Sequence, residues 1–168
     1  MVNPEAVAAK ALAYDKYSGC SQSVLLALQE AFNIGDAESF KAATVLSGGV
    51  ARRGETCGAL LGGLMALGLA AGRSDIKDTQ AYRDAMGPAN EIIDEFKQRL
   101  EQEFGFTEPL DSTICADIQT RIYGRSFNLR DPVENRAFLD AGGHEDTGCP
   151  KVCAVAAKVT ALKLMQLI

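Results

Sequence analysis

The stretch that decides the fold is Cys57-Gly58-Ala59-Leu60-Leu61-Gly62-Gly63-Leu64-Met65-Ala66-Leu67-Gly68-Leu69-Ala70-Ala71-Gly72. It has no charged residue and no period-two alternation, and Thr56 supplies an N-cap before it. A helix that is apolar on nearly all sides belongs at the centre of a protein. Its most apolar part, Gly58 to Gly72, is too short and too rich in glycine to span a membrane. Glycines inside a helix cost about 1 kcal/mol each relative to alanine. Gly58, Gly62 and Gly63 therefore point to close backbone approach, by another helix or by a bound group, around a cysteine site.

Helix signals follow one another on both sides of this segment. Asn3-Pro4 opens a first helix running to about Tyr17, and Ser18-Gly19 breaks it. A second carries Val24, Leu25, Ala27, Leu28, Ala31 and Phe32 at helical spacing until Gly35. Asp36 caps a third, expected to end at Gly48-Gly49. Asp78 to Phe104 reads as a long amphipathic helix that Gly87-Pro88 kinks or interrupts. Asp111-Ser112-Thr113 starts a shorter one through about Tyr123, and Gly148-Cys149-Pro150 opens the last. Between them, Gly124 to Thr147 is the least regular stretch, with a helical turn or two at Pro132 to Leu139. The expectation is an all-α bundle of six to eight helices, one domain over 1–168, around the Gly/Ala-rich helix.

A net charge of −5 and the absence of a basic stripe argue against nucleic acid as a partner. No membrane insertion is expected. No export signal is visible at Met1-Val2-Asn3-Pro4-Glu5, so the expected location is cytoplasmic. In a reducing compartment five cysteines point to metal binding, redox chemistry or burial as small apolar side chains rather than to a disulfide framework.

Their positions are the informative feature. Cys20 follows Ser18-Gly19, Cys57 follows Thr56, Cys115 lies in the turns after Asp111-Ser112, and Cys149 precedes Pro150. All four fall at or near expected helix N-termini, where free N–H groups and the helix dipole stabilise a thiolate. This placement is expected to lower their pKa, with Arg52 and Arg53 adding positive field near Cys57. The same N–H groups suit sulfur ligands of a metal or cluster. Cys153, one turn after Cys149, reads as core rather than as a resolving thiol. His144 is either a ligand or proton donor or, more commonly for a loop histidine, exposed. Glu55 is an acid–base candidate beside Cys57 or ordinary helix capping.

The spacings exclude several chemistries. No C-x-x-C occurs, so thioredoxin-like and zinc-ribbon patterns fail, and without C-x-x-C-H no covalent haem is expected. A site using Cys20, Cys57, Cys115 and Cys149 has to be assembled from four distant segments by folding.

The segment Gly48-Gly49-Val50-Ala51-Arg52-Arg53-Gly54-Glu55-Thr56-Cys57-Gly58-Ala59-Leu60-Leu61-Gly62 resembles the glycine-rich core of the C_GCAxxG_C_C family of redox-active proteins. This chain reads C-G-A where the family name writes G-C-A, so the resemblance is to the character of the element. Tyr17-Ser18-Gly19-Cys20-Ser21-Gln22, Phe104-Gly105 with Cys115, and Cys149-Pro150-Lys151-Val152 are similar to the family's other three cysteine segments. Cys153 stands where the family usually has an apolar residue, and Gly124 to Thr147 is longer than its norm. The resemblance extends to the non-haem part of split-Soret cytochromes, which carries an iron–sulfur cluster. It implies electron transfer or redox sensing through a [2Fe–2S] cluster on the four cysteines, with a redox partner protein and a homodimer as partner expectations. A cofactor-free thiol–disulfide oxidoreductase and a four-thiolate zinc or soft-metal module are the alternatives. An inert helical interaction domain with buried cysteines remains beside them.

Overall fold

A computed structural model describes residues 1–168. The chain is all α: α1 (Pro4–Asp15), α2 (Cys20–Phe32), α3 (Ala37–Ala42), a 3₁₀ turn (Ala43–Leu46), α4 (Gly58–Ala71), α5 (Thr79–Phe104), α6 (Cys115–Tyr123), α7 (Pro132–Asp140) and α8 (Cys149–Leu167). Asn3 caps α1 by accepting from the Glu5 and Ala6 N–H groups, with Pro4 at the first helical position. Asp36 and Ser39 form a reciprocal capping box on α3, and Asp78 caps α5 by accepting from Ala81 N–H. No helix is long and apolar enough to cross a membrane.

The Gly/Ala-rich helix sits where its composition demands. α4 packs against α2, α5 and α8, and α8 in turn lies against α1, α2, α4 and α5. Val24, Leu25, Leu28, Leu60, Leu67, Ile92, Phe96, Leu100 and Leu164 are buried in the common core. Small residues allow the close crossings. A methyl group on Gly62 would run into the Ser21 carbonyl of α2, and one on Gly63 into the Thr160 hydroxyl of α8. On Gly58 it would stand 2.6 Å from the Cys20 sulfur, so this glycine makes room for the thiol itself.

Two boundaries differ from the expectation in ways that matter. The third helix does not run to Gly48-Gly49: it ends at Ala42, tightens into the 3₁₀ turn, and then reverses hand. Gly48, Gly49, Val50, Ala51 and Arg52 all have φ between 51° and 67°, one left-handed turn with three non-glycine members. Such a conformation costs roughly 1–2 kcal/mol per L-residue. It is held by backbone bonds that include Ala51 N–H to Val45 O at 2.8 Å and Glu55 N–H to Gly49 O at 2.9 Å. Polar side chains of α2 take up groups of the loosened helix: the Ser21 hydroxyl donates to Ala43 O at 2.8 Å, and Gln22 Nε2 donates to Phe40 O at 3.2 Å.

The sixth helix begins at Cys115 rather than Asp111, with Ile114 as its N-cap residue. Residues before it run extended and pair with the segment leading into α4. Cys57 N–H donates to Thr113 O (2.8 Å), Cys115 N–H to Glu55 O (2.6 Å) and Ala116 N–H to Gly54 O (3.1 Å) around an antiparallel bridge between Thr56 and Ile114. Pairing with a remote segment outweighs the local helix-start signal of Asp111-Ser112. Ser112 instead accepts from Ile114 N–H and donates to Asp117 Oδ2, tying the approach to the helix.

Pro88 does not interrupt α5, which continues through it. The irregular Gly124 to Thr147 stretch folds into a hood. Tyr123, Phe127, Phe138 and His144 stack edge to face with ring centroids 5.6–5.9 Å apart, a second small cluster outside the main core.

Candidate cysteine site

Each of the four cysteines stands at a helix start. Cys57 is the N-cap residue of α4, while Cys20, Cys115 and Cys149 are the first residues of α2, α6 and α8. Gly19 (φ 98°) turns the chain sharply into Cys20, and Gly148 stands as N-cap before Cys149. Tertiary folding brings all four to one cavity of about 70 Å³, closed on one side by Leu129, Asn135 and Phe138 of the hood. Cys153 is fully buried, as its core reading anticipated, and it lines the same cavity.

Donors serve three of the sulfurs, and only those at Cys57 come from its own helix start. The Gly48 N–H of the left-handed turn favours the Cys20 thiolate, and the Ala59 and Leu60 N–H groups favour that of Cys57. Tyr123 does the same for Cys149: its hydroxyl donates to the sulfur at 3.5 Å and accepts from the Cys149 N–H at 3.0 Å.

The expected fall in pKa does not follow. Burial pushes all five thiols up, and Cys149 reaches about 12. Taking a thiolate out of water costs more than a few N–H dipoles return, and thiolates at Cys20 and Cys149 would also face other sulfurs and the Asp15 carboxylate. Arg52 lines the cavity without reversing this balance. These cysteines are protonated thiols at neutral pH unless a cation or metal centre supplies positive charge.

A buried acid that sequence reasoning did not single out also lines the cavity. Asp15, the last residue of α1, is 1% exposed, and neither of its carboxylate oxygens has a hydrogen-bond partner. A lone aspartate at the end of a helix carries no sequence signal for such burial. Tyr123, likewise not singled out, is placed by the aromatic cluster with its hydroxyl on Cys149. His144, whose commoner expectation was exposure on a loop, is instead about three-quarters buried, with Nδ1 3.6 Å from Asp15 Oδ2. The hood holds it there: Phe138 stacks on its ring, and Lys16 pairs with Asp146 at 2.6 Å just outside. Glu55 contributes its backbone to the bridge, while its side chain is exposed and stands outside the cavity lining.

Four thiols converging on one cavity, with N–H and O–H donors on three of their sulfurs, form a donor set suited to an iron–sulfur centre. A single tetrahedral ion is a different case, since it needs its sulfurs about 2.3 Å from a common point. No three Cys, His, Asp or Glu side chains are grouped to hold one metal ion.

No curated protein and no solved structure matches the chain significantly. A family model described as "Putative redox-active protein (C_GCAxxG_C_C)" matches residues 18–162, which takes in all the cysteines and the hood. The chain belongs to the C_GCAxxG_C_C family.

Proposed function

We propose that Cys20, Cys57, Cys115 and Cys149 are the ligands of an iron–sulfur cluster of the [2Fe–2S] type, and that the chain works in electron transfer or redox sensing with a partner protein. The observation that carries this reading is the convergence of four helix starts, each bearing one thiol, on one cavity. Thiol acidity supports it over cofactor-free disulfide exchange. Attack on a disulfide requires a thiolate, and burial leaves these groups protonated in the neutral range. A coordinated thiol is deprotonated by the metal's own charge, so the same burial is no obstacle to ligation. The lack of a grouped ligand set for one ion weighs against zinc.

A bound cluster would supply one-electron transfer. The chain's own residues hold the ligand segments, donate to the sulfurs and exclude water. Gly48 N–H at Cys20 and Tyr123 at Cys149 are the donors that would tune such a centre.

Anaerobic purification with visible absorption, iron and acid-labile sulfide analysis tests the reading. Coloured protein holding iron and sulfide in equal amounts is the expected result. Replacing any one of the four cysteines by serine should abolish or strongly reduce iron content, whereas Cys153→Ala should retain it. Metal-free protein whose thiols cycle reversibly would establish the dithiol alternative, and a colourless zinc-loaded protein would establish the soft-metal one.

A further inference from the structure

Asp15 is the most anomalous side chain in the molecule. A carboxylate offers two oxygens with about four lone-pair sites, and leaving it buried and unpaired is costly. No lysine or arginine pairs with it; its one titratable partner is His144, with Nδ1 3.6 Å from Oδ2. That separation is too long for a hydrogen bond and involves only Oδ2. Four buried side-chain polar atoms in the whole chain lack a partner, and three of them are Asp15 Oδ1, Asp15 Oδ2 and His144 Nδ1. All three belong to residues lining one cavity of about 70 Å³, roughly five times the space one water needs.

These atoms share one chemistry. Both carboxylate oxygens accept, and His144 Nδ1 accepts when the ring proton sits on Nε2. An ammonium group R–NH₃⁺ presents three N–H donors and a positive charge, matching three acceptor atoms without partners, two of them on one buried carboxyl group. We infer that Asp15 and His144 form a binding site for the ammonium group of a small primary amine, inside the cavity that the cysteines line. The thiol-lined apolar wall leaves space for a short carbon stem, and Arg52, which also lines the cavity, makes no ion pair with Asp15. This site stands without the iron–sulfur reading, because its acceptors come from α1 and the hood and not from the four cysteines.

The test uses the full chain with its thiols reduced and methylammonium chloride as the probe. The protein has one histidine, so the His144 ring resonances report this site alone. Methylammonium should shift them saturably, and tetramethylammonium, which has the charge but no N–H, should not. Methanol should fail as well, having a donor but no charge. Asp15→Asn should weaken methylammonium binding at least tenfold while leaving the far-ultraviolet circular dichroism unchanged. If that variant fails to fold, the comparison of methylammonium with tetramethylammonium on the unsubstituted chain decides alone. Resonances that stay unmoved by methylammonium, or move equally with tetramethylammonium or methanol, would overturn the inference and leave Asp15 and His144 as a pair filled by water. Iron and sulfide analysis is a separate measurement, so either conclusion can fail without the other.

Discussion

Cys57 donates its backbone N–H to the Thr113 carbonyl at 2.8 Å, and two positions further along the partner strand Cys115 N–H returns the bond to Glu55 O at 2.6 Å. Two cysteines remote in sequence are thereby held in register by main chain, independent of what their sulfurs do. Both helices that follow, α4 and α6, leave this short ladder with their first residues facing the cavity. Side-chain substitutions at either cysteine should therefore change the chemistry more than the fold.

Two glycines of α4 should respond in opposite directions to the same substitution. A methyl group at Gly62 meets the Ser21 backbone, which cannot yield, whereas Gly68 has open space around it. Gly68→Ala should stabilise by about 1 kcal/mol through helix propensity. Gly62→Ala should destabilise by about 1–3 kcal/mol through overpacking. Urea-unfolding midpoints of the two variants check this, and equal shifts would refute the close α2–α4 crossing.

Ala51→Gly should stabilise, against the usual trend. Ala51 has φ 51° in an exposed part of the left-handed turn, where glycine lacks the steric penalty. The expected gain is about 0.5–1 kcal/mol, because glycine's greater freedom in the unfolded chain offsets part of the relieved strain. A lower thermal midpoint for this variant would contradict the left-handed assignment.

Stability of the metal-free protein should fall as pH rises above the ordinary thiol range. Burial raises the folded-state pKa of these cysteines, so the unfolded chain loses its thiol protons first. Stability is fully present below the ordinary thiol value of 9.0 and is lost as pH climbs toward about 12 for Cys149. Unfolding midpoints measured from pH 7 to 11 should decline, and Cys149→Ala should flatten the slope. Alkylation of the folded protein by iodoacetamide near pH 7.5 should be much slower than that of the unfolded chain.

Tyr123→Phe should leave the aromatic cluster intact and cost about 1 kcal/mol through the lost hydrogen bond. Cys149 N–H keeps a second acceptor, Gly143 O at 3.1 Å, so the start of α8 should survive. Its sulfur loses its hydroxyl donor, which favours the thiolate, and the thiol should titrate still higher. Alkylation kinetics of Cys149, resolved by peptide mass mapping, provide the readout.

Much of this arrangement was legible from local signals. Asn3-Pro4, Asp36 and Asp78 mark helix starts because capping depends on residues a few positions apart. The cysteines at helix starts were legible for the same reason. The start of α6 was not, because the Thr56–Ile114 bridge joins segments far apart in the chain. Nor was the left-handed turn at Val50, Ala51 and Arg52, residue types with no intrinsic preference for that conformation.

By itself the sequence determined an all-helical chain, its central Gly/Ala-rich helix and the four helix starts that carry thiols, since each of these rests on short-range periodicity and capping. Only the tertiary structure decided that those thiols share one cavity with Asp15 and His144, and that Tyr123 reaches the Cys149 sulfur. It also decided their acidity. Dipoles at a helix start act locally and favour the thiolate, but desolvation depends on everything folded around the sulfur, and here it dominates.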